Sequence, residues 1–327
     1  MKIALFPQKN IIYELYMNST ENSFFNQIIN LPTEQVNPAT KDIDKVPLID
    51  ILKMINNEDK QVAYAVEEEI PHIAQAVELI RTALQSNGRL IYLGAGTSGR
   101  LGVIDAAECP PTYGTNPEMI VGIIAGGKEA MFVAQEGAED DIQQAIIDLK
   151  NQSLHSNDVV CGIAASGRTP YVKSGVNYAK SIGCKTIMLS TSKRENLLQL
   201  GINADVFICS YVGPEVIAGS TRMKSGTAQK LVLNMLTTAT MVLLGKTYNN
   251  IMVDLQQTNA KLVERSKNII MTICNVDYQT ATNLLAKAQQ SVKHAIMMGL
   301  TNLEYSEVAE LLKKGNDRIS ESLKLIE

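Results

Sequence analysis

Five short apolar runs alternate with longer helical patterns in the middle of the chain, and this alternation restricts the fold more than any other feature. The runs are rich in β-branched residues, are flanked by Gly, Asp, Asn or Ser, and lie at residues 90–93, 119–124, 159–164, 186–189 and 206–209. Such runs are typical of buried strands. Helix-like stretches between them lie at residues 98–107, 128–150, 170–182 and 194–200. A repeating strand-helix order predicts an α/β domain built on a doubly wound parallel sheet that is covered on both faces.

Helical patterns also precede and follow the predicted sheet. Apolar residues recur at helical spacing from residue 49 to about residue 86, which predicts two N-terminal helices. A long helix is expected from Arg222 to Leu244, ended by Gly245, and another at about residues 253–270. Three short amphipathic patterns after Asp277 predict a small C-terminal helical domain, residues 271–327, behind a larger domain of residues 31–270.

Composition and charge exclude several classes of protein. The net charge is -4 and lysine and arginine form no run, so neither nucleic acid nor an anionic membrane is an expected partner. The nearest candidate for a membrane span, residues 231–245, is interrupted by Asn234. The apolar stretch at the N-terminus is too short for a signal peptide. A cytoplasmic protein with a small-molecule partner is expected.

Cysteine and histidine usage argues against metal or disulfide chemistry. The five cysteines are odd in number, scattered, and form no CxxC pair, which favours a reducing compartment over a disulfide framework or a zinc site. The three histidines lie far in sequence from the glycine-rich segments. Acid-base chemistry is therefore expected to use carboxylates.

A glycine-rich turn follows the first predicted strand and opens a helix. Its sequence from Gly94 to Arg100 is GAGTSGR. Backbone N–H groups at such a helix start bind anions. A dinucleotide site would place an acidic residue at the end of the next strand, where this chain has Ile124 followed by Ala125, Gly126 and Gly127. The turn is therefore interpreted as a phosphate site rather than a nicotinamide site.

Two more clusters combine small residues with hydroxyls at a helix start. One follows the third predicted strand, and the other opens the long helix beside Arg222 and Lys224. Three such clusters can converge on one phosphorylated ligand. Alternatively, each is only a helix cap or a tight turn. The candidate binding residues are Gly96, Thr97, Ser98, Ser166, Gly167, Arg168, Thr169, Ser220 and Thr221.

Two carboxylates are candidates for acid and base. Glu108 ends the helix predicted to begin at Ser98 and precedes Cys109, Pro110 and Pro111. The two prolines are expected to stop the helix and bend the chain. Glu139 lies in an acidic stretch where a glycine interrupts a helical pattern. By spacing alone, Glu139 is more typical of a solvated surface acid than of a catalytic group, and Glu108 is equally typical of a simple helix end and of a catalytic group.

Four segments together resemble the N-acetylmuramic acid 6-phosphate etherase family. In chain order they are LIYLGAGTSGRLGVIDAAECPPTYG, EGAEDD, GIAASGRTPYV and GSTRMKSGTAQKLVLNMLTT. The resemblance extends from about Leu31 to the C-terminus. Residues 1–30 match nothing in it, so they are either a genuine extension that packs on a dimer or lie upstream of the true start, for which Met17 is a candidate.

The resemblance implies a sugar-isomerase-type (SIS) α/β domain with a small helical domain, working as a homodimer without metal or cofactor. The implied reaction converts N-acetylmuramic acid 6-phosphate and water into N-acetylglucosamine 6-phosphate and D-lactate by elimination and then hydration. Glu108 corresponds to the family's proton donor and Glu139 to its second catalytic glutamate, while the assignment of each half-step stays open. The alternatives are a sugar-phosphate-binding regulator, such as the glucokinase regulatory protein, or a sugar-phosphate isomerase on the same fold.

Overall fold

A five-stranded parallel sheet forms the centre of the structure, a computed structural model that describes residues 31–255, 257 and 259–326. The strand order is β2-β1-β3-β4-β5, and each predicted strand is confirmed to within one residue at either end. The predicted extension, residues 1–30, lies outside the described residues. The strands are β1 (Leu90–Gly94), β2 (Ile120–Ile124), β3 (Val159–Ile163), β4 (Lys185–Ser190) and β5 (Val206–Cys209).

Twelve α-helices lie in the described part of the chain, and together with the sheet they confirm the predicted fold class. The two predicted N-terminal helices are present as α1 and α2, and the long helix after the sheet is α7. No described helix is both long and apolar enough to cross a membrane. The helices are α1 (Leu48–Glu67), α2 (Ile70–Gln85), α3 (Gly96–Tyr113), α4 (Ile142–Asn151), α5 (Pro170–Ser181), α6 (Arg194–Gln199), α7 (Lys224–Leu243), α8 (Ala260–Cys274), α9 (Tyr278–Lys287), α10 (Val292–Thr301), α11 (Tyr305–Lys314) and α12 (Ile319–Leu323).

Both faces of the sheet are buried under helices. Leu90 and Tyr92 of β1 pack with side chains of α1, α2, α3 and α7. Ile91 and Leu93, which alternate with them, pack with side chains of α4, α5 and α6 on the other face. Because successive side chains of a strand point to opposite faces, a strand buried on both sides must be apolar throughout. This requirement explains why the runs in the sequence are continuous rather than alternating.

Helix α3 continues through both prolines, so the predicted stop at Glu108 is wrong. Pro110 and Pro111 lie inside the helix, which ends only at Tyr113. Each proline removes one backbone N–H from the helix. Buried side chains hold this last turn: Cys109 and Tyr113 are both buried, and Tyr113 Oη lies 3.2 Å from Thr238 Oγ1 of α7. Tertiary packing therefore outweighs the local preference of proline to end a helix.

The predicted helix over residues 128–150 is also wrong in its first half. Two short 3₁₀ turns, Lys128–Met131 and Ala138–Asp140, occupy that stretch, and a regular helix begins only at Ile142. Gly137 has a φ of 75°, a left-handed conformation that a regular helix cannot contain. Glu139 consequently lies in a loop and not on a helix.

A third hydrophobic core lies in the C-terminal region. It joins side chains from Val253 to Ile319, contributed by α8 to α12 and by the segment after the hairpin of β6 (Thr247–Tyr248) and β7 (Ile251–Met252). Asp254 bridges Lys246 and Lys293 at 3.0 and 2.9 Å. The helix predicted at residues 253–270 begins later, at Ala260, where the Asn259 side chain accepts a hydrogen bond from Leu262 N. The domain division at residue 270 stays a prediction.

Candidate active site

The three hydroxyl clusters follow strands or precede helices at one edge of the sheet. The first cluster joins β1 to α3, the second joins β3 to α5, and the third precedes α7 in the segment after β5. All five strands are parallel, so their carboxyl ends lie along the same edge. Ligands of open α/β sheets bind at that edge. The fold therefore places the predicted binding segments where a common ligand can reach them.

Helix α7 holds the first cluster in place. Ser98 is buried, and its Oγ donates a hydrogen bond to Gln229 Oε1 at 2.9 Å. Thr97 lies against the same helix, since a Cβ added at Gly226 would come within 3.4 Å of Thr97 Cγ2. The turn after β1 and the start of α7 are thus one packed unit.

A serine-threonine segment at the end of β4 links the second cluster to α7. Ser190 and Thr191 donate through their hydroxyls to Ala165 O at 2.8 and 3.0 Å, and Ser192 Oγ donates to Ser166 O at 3.0 Å. Thr191 Oγ1 also lies 3.0 Å from the Ser225 hydroxyl of α7. This segment was not among the predicted binding residues, although it has the same pattern as the predicted clusters, namely hydroxyls directly after a buried strand.

The clusters do not serve as ordinary helix caps. Among the described residues, the N-cap positions of α3, α5 and α7 are Ala95, Thr169 and Met223, and none of these three residues caps its helix with its own side chain. In the second cluster, the Arg168 backbone N–H donates to Ser166 Oγ at 3.2 Å. Gly167 has a φ of 74°. The Thr169 hydroxyl therefore does not cap α5, whereas Ser166 and Gly167 form a tight turn.

A buried carboxylate anchors the third cluster. Glu215 is fully buried and accepts hydrogen bonds from the backbone N–H groups of Lys224 and Ser225 at 2.8 and 2.9 Å. A carboxylate at a helix start satisfies free N–H groups and interacts favourably with the helix dipole. This contact fixes the start of α7 at Lys224, three residues after Thr221.

Lys224 is occupied by a structural ion pair. Its Nζ lies 2.6 Å from Glu58 Oε2 of α1 and 3.0 Å from Pro214 O. Burial alone would raise the pKa of Glu58, but hydrogen bonds from Lys224 and Asn37 outweigh it, so the pKa lies below its ordinary value. Because its ammonium is buried and paired, Lys224 holds the loop and does not face a ligand.

A cleft of about 160 Å³ lies beside the first cluster, and Glu139 is one of its lining residues. Its walls come from the turn after β1, the end of β2 and the loop that carries Glu139. The lining residues are Ala95, Gly96, Arg100, Ala125, Ala130, Ala134, Gln135, Glu136, Gly137, Ala138 and Glu139.

Glu108 lies apart from this cleft. It is exposed on α3, twelve residues beyond Gly96, and a helix rises about 1.5 Å per residue, so the two positions are separated by roughly 18 Å along the axis. Within one chain, the fold brings the hydroxyl clusters and Glu139 to the same edge of the sheet. Glu108 is directed to another surface.

Two buried polar atoms at the same edge have no hydrogen-bond partner among the described residues. They are Gln229 Nε2, on the side chain that holds Ser98, and Ser210 Oγ, immediately after β5. Buried polar atoms are nearly always paired in folded proteins, either with protein or with water. Neither residue was predicted from the sequence.

The cysteine thiols are unsuited to nucleophilic chemistry. Cys109, Cys161, Cys184 and Cys209 are buried, and burial raises the thiol pKa, to about 12 for Cys109 and Cys209 and about 11 for Cys184. Only the thiolate is a strong nucleophile.

Comparison with known proteins identifies a matching domain family and relatives that span most of the chain. The glucokinase regulatory protein N-terminal SIS domain family matches residues 72–180. An N-acetylmuramic acid 6-phosphate etherase of Salinibacter ruber is 53% identical over 292 residues, 89% of this chain and 93% of the relative. The etherase of Clostridium beijerinckii is 50% identical over 91% of this chain and 97% of its own, and that of Pasteurella multocida 50% over 92% and 99%.

Proposed function

The chain belongs to the N-acetylmuramic acid 6-phosphate etherase family, and on this premise we propose how its residues divide the work of the reaction. The chain cleaves the lactyl ether of N-acetylmuramic acid 6-phosphate with water to give N-acetylglucosamine 6-phosphate and D-lactate. The observation that carries this activity is the identity of about half of all residues with etherases over nearly the whole length of both chains. A cytoplasmic location suits a phosphorylated sugar substrate.

Elimination and hydration account for all atoms of the reaction. In the open-chain sugar, the aldehyde acidifies the proton on C2. A base removes that proton, the C3–O bond breaks, and the departing lactate oxygen receives a proton. Water then adds to C3 of the resulting double bond, and a proton returns to C2. Two carboxyl groups, one protonated and one ionised, suffice for these proton transfers.

The hydroxyl-rich edge supplies the phosphate and sugar contacts in this proposal. The N–H groups at the start of α3, including that of Ser98, together with the side chains of Thr97, Ser166 and Thr169, offer donors to phosphate oxygens and sugar hydroxyls. Gly96 and Gly167 allow close approach of the backbone. Arg168, Ser220 and Thr221 complete the set of proposed contacts.

Glu139 is the proposed catalytic group from the chain that binds the phosphate, because it lines the cleft next to Gly96. Glu108 of the same chain lies too far along α3 to reach that cleft. A homodimer resolves this separation if Glu108 is supplied by the partner subunit. Exposed apolar side chains near Glu108 support such a contact: Ile104 lies one turn earlier on α3, and Met235 and Val242 lie on neighbouring α7.

The match to the glucokinase regulatory protein domain favours one alternative, a sensor that binds sugar phosphate without reaction. Release of D-lactate from N-acetylmuramic acid 6-phosphate by the purified protein separates the two functions. Lactate release is expected. Binding of the sugar phosphate with no lactate at any enzyme concentration would establish the sensor instead.

A further inference from the structure

Arg100 is a cation in the cleft that the predicted site did not include. It lies on α3, one turn beyond Gly96, and lines the cleft together with Glu139. Among the described lining residues it is the single basic side chain. Its side chain is partly buried, which reduces the contact of its charge with water.

The guanidinium of Arg100 is held in place but remains largely free to bind. Its Nε donates to Met131 O at 3.1 Å, which ties it to the loop that leads to Glu139. Within the described residues Arg100 forms no ion pair, although Glu136 and Glu139 line the same cleft. A guanidinium has five N–H donors, so four remain for a ligand.

The substrate of the proposed reaction carries two anionic groups. Its phosphate is served by the hydroxyl clusters and the start of α3. Its lactyl carboxylate leaves with the oxygen on C3, one carbon from the C2 proton. A residue that binds this carboxylate must therefore lie next to the glutamate that acts at C2 or C3.

We propose that Arg100 binds the lactyl carboxylate and determines the specificity of the site for the ether over the product sugar phosphate. The proposal rests on the proposed function, since only that substrate class has a carboxylate beside the bond that breaks. A planar guanidinium binds a carboxylate through two parallel hydrogen bonds. The bond from Nε to Met131 O fixes the plane of the guanidinium before the substrate arrives.

The experiment compares the wild type with Arg100→Gln and Arg100→Lys on two substrates and one inhibitor. The substrates are N-acetylmuramic acid 6-phosphate and its analogue with the lactyl carboxylate converted to a primary amide. The inhibitor is N-acetylglucosamine 6-phosphate, which has the phosphate but no lactyl group. The thermal unfolding midpoint of each variant shows whether it folds.

For Arg100→Gln, kcat/KM on the acid substrate should fall roughly tenfold or more, because a charge-assisted hydrogen bond is lost. The same variant should process the amide analogue as the wild type does and should keep the wild-type inhibition constant for N-acetylglucosamine 6-phosphate. Arg100→Lys should retain part of the preference for the acid, because it keeps the charge without the planar fork.

Two results would overturn the proposal. An equal loss on the acid and the amide, with weaker inhibition by N-acetylglucosamine 6-phosphate, would show that Arg100 binds the phosphate. An equal loss on both substrates with unchanged inhibition would show that it only positions the loop through Met131. Failure of the proposed function itself is distinct, since the wild type would then release no lactate from the acid substrate.

Discussion

The hydroxyl-rich edge of the sheet and the two glutamates differ in burial and in hydrogen bonding. At the edge, Ser98 and Thr191 are buried and hydrogen-bonded to residues of a single helix, α7. Glu108 and Glu139 are both exposed, one at the far end of α3 and one in a loop. One chain thus assembles the proposed binding groups, while the two glutamates proposed for acid-base chemistry are exposed to water. Exclusion of water strengthens the electrostatic interactions on which proton transfer depends.

The largest expected effect is the loss of lactate release when either Glu108 or Glu139 is replaced. Glu108→Gln and Glu139→Gln should each lose most lactate release, because each variant lacks one proton-transfer group. If the partner supplies Glu108, a refolded equimolar mixture of the two variants should recover about a quarter of wild-type activity, since half of the dimers are mixed and each has one intact site. Lactate release before and after mixing is the measurement.

Glu136→Gln is the matched control, because Glu136 lines the same cleft three residues from Glu139. It should keep close to full activity. A mixture that stays as inactive as its two components would contradict the shared site and would require both glutamates to act within one chain.

Replacement of Lys224, the buried cation at the start of α7, tests how much its ion pair with Glu58 stabilises the fold. Lys224→Met leaves Glu58 partly buried without its partner, which should lower the free energy of unfolding by about 3 kcal/mol. Lys53→Met is the control, because Lys53 pairs with Asp50 on the exposed side of the same helix α1. Its expected effect is within about 0.5 kcal/mol. Urea unfolding measures both, and equal effects would show that the buried pair has no special role.

The hydrogen bond between Ser98 and Gln229 should affect binding more than turnover. Gln229→Leu removes the acceptor of the Ser98 hydroxyl, so the serine is no longer held in one orientation. The loss of one neutral hydrogen bond predicts a rise in KM of roughly two- to tenfold with little change in kcat. Ser181→Ala, at an exposed hydroxyl on α5, should leave both parameters unchanged. A fall in kcat with constant KM would assign Gln229 to the chemical step.

The smallest effect is a pH dependence caused by Glu58. Its pKa in the folded state is below the unfolded value of about 4.3, so its contribution to stability is complete above that value and is lost as pH falls through the folded pKa. Glu58→Gln should therefore show a shallower loss of stability than wild type below about pH 4. Urea unfolding midpoints from pH 6 to pH 3 provide the measurement, and parallel curves would rule out this source.

Much of the fold could be predicted because its signals are local. All five strands agree with the prediction to within one residue, since a doubly covered strand must be continuously apolar. Helix bounds were wrong at three places, namely Pro110, residues 128–141 and the start of the helix predicted at residues 253–270, and the error at Pro110 arises from contact with a distant helix. Buried Tyr113 contacts Thr238 on another helix, and no local pattern encodes a contact across 125 residues.

The candidate site also has residues that could be predicted from the sequence and residues that could not. The glycine-rich turn and the hydroxyl clusters were recognisable because a helix start after a strand binds anions wherever it occurs. Ser190 to Ser192 carry the same signal and could have been predicted, whereas the positions of Gln229 and Arg100 depend on the packing of α7 and the Glu139 loop.

The sequence by itself determined the parallel sheet and the etherase family, and it predicts an anion-binding edge. Only the tertiary structure decided that Lys224 is an internal ion pair, that Arg100 shares a cleft with Glu139, and that Glu108 lies about 18 Å along the helix from Gly96. The physical reason is distance. Strand and turn preferences act within a few residues, whereas the pairing of charges and the sharing of a cleft depend on how distant elements pack.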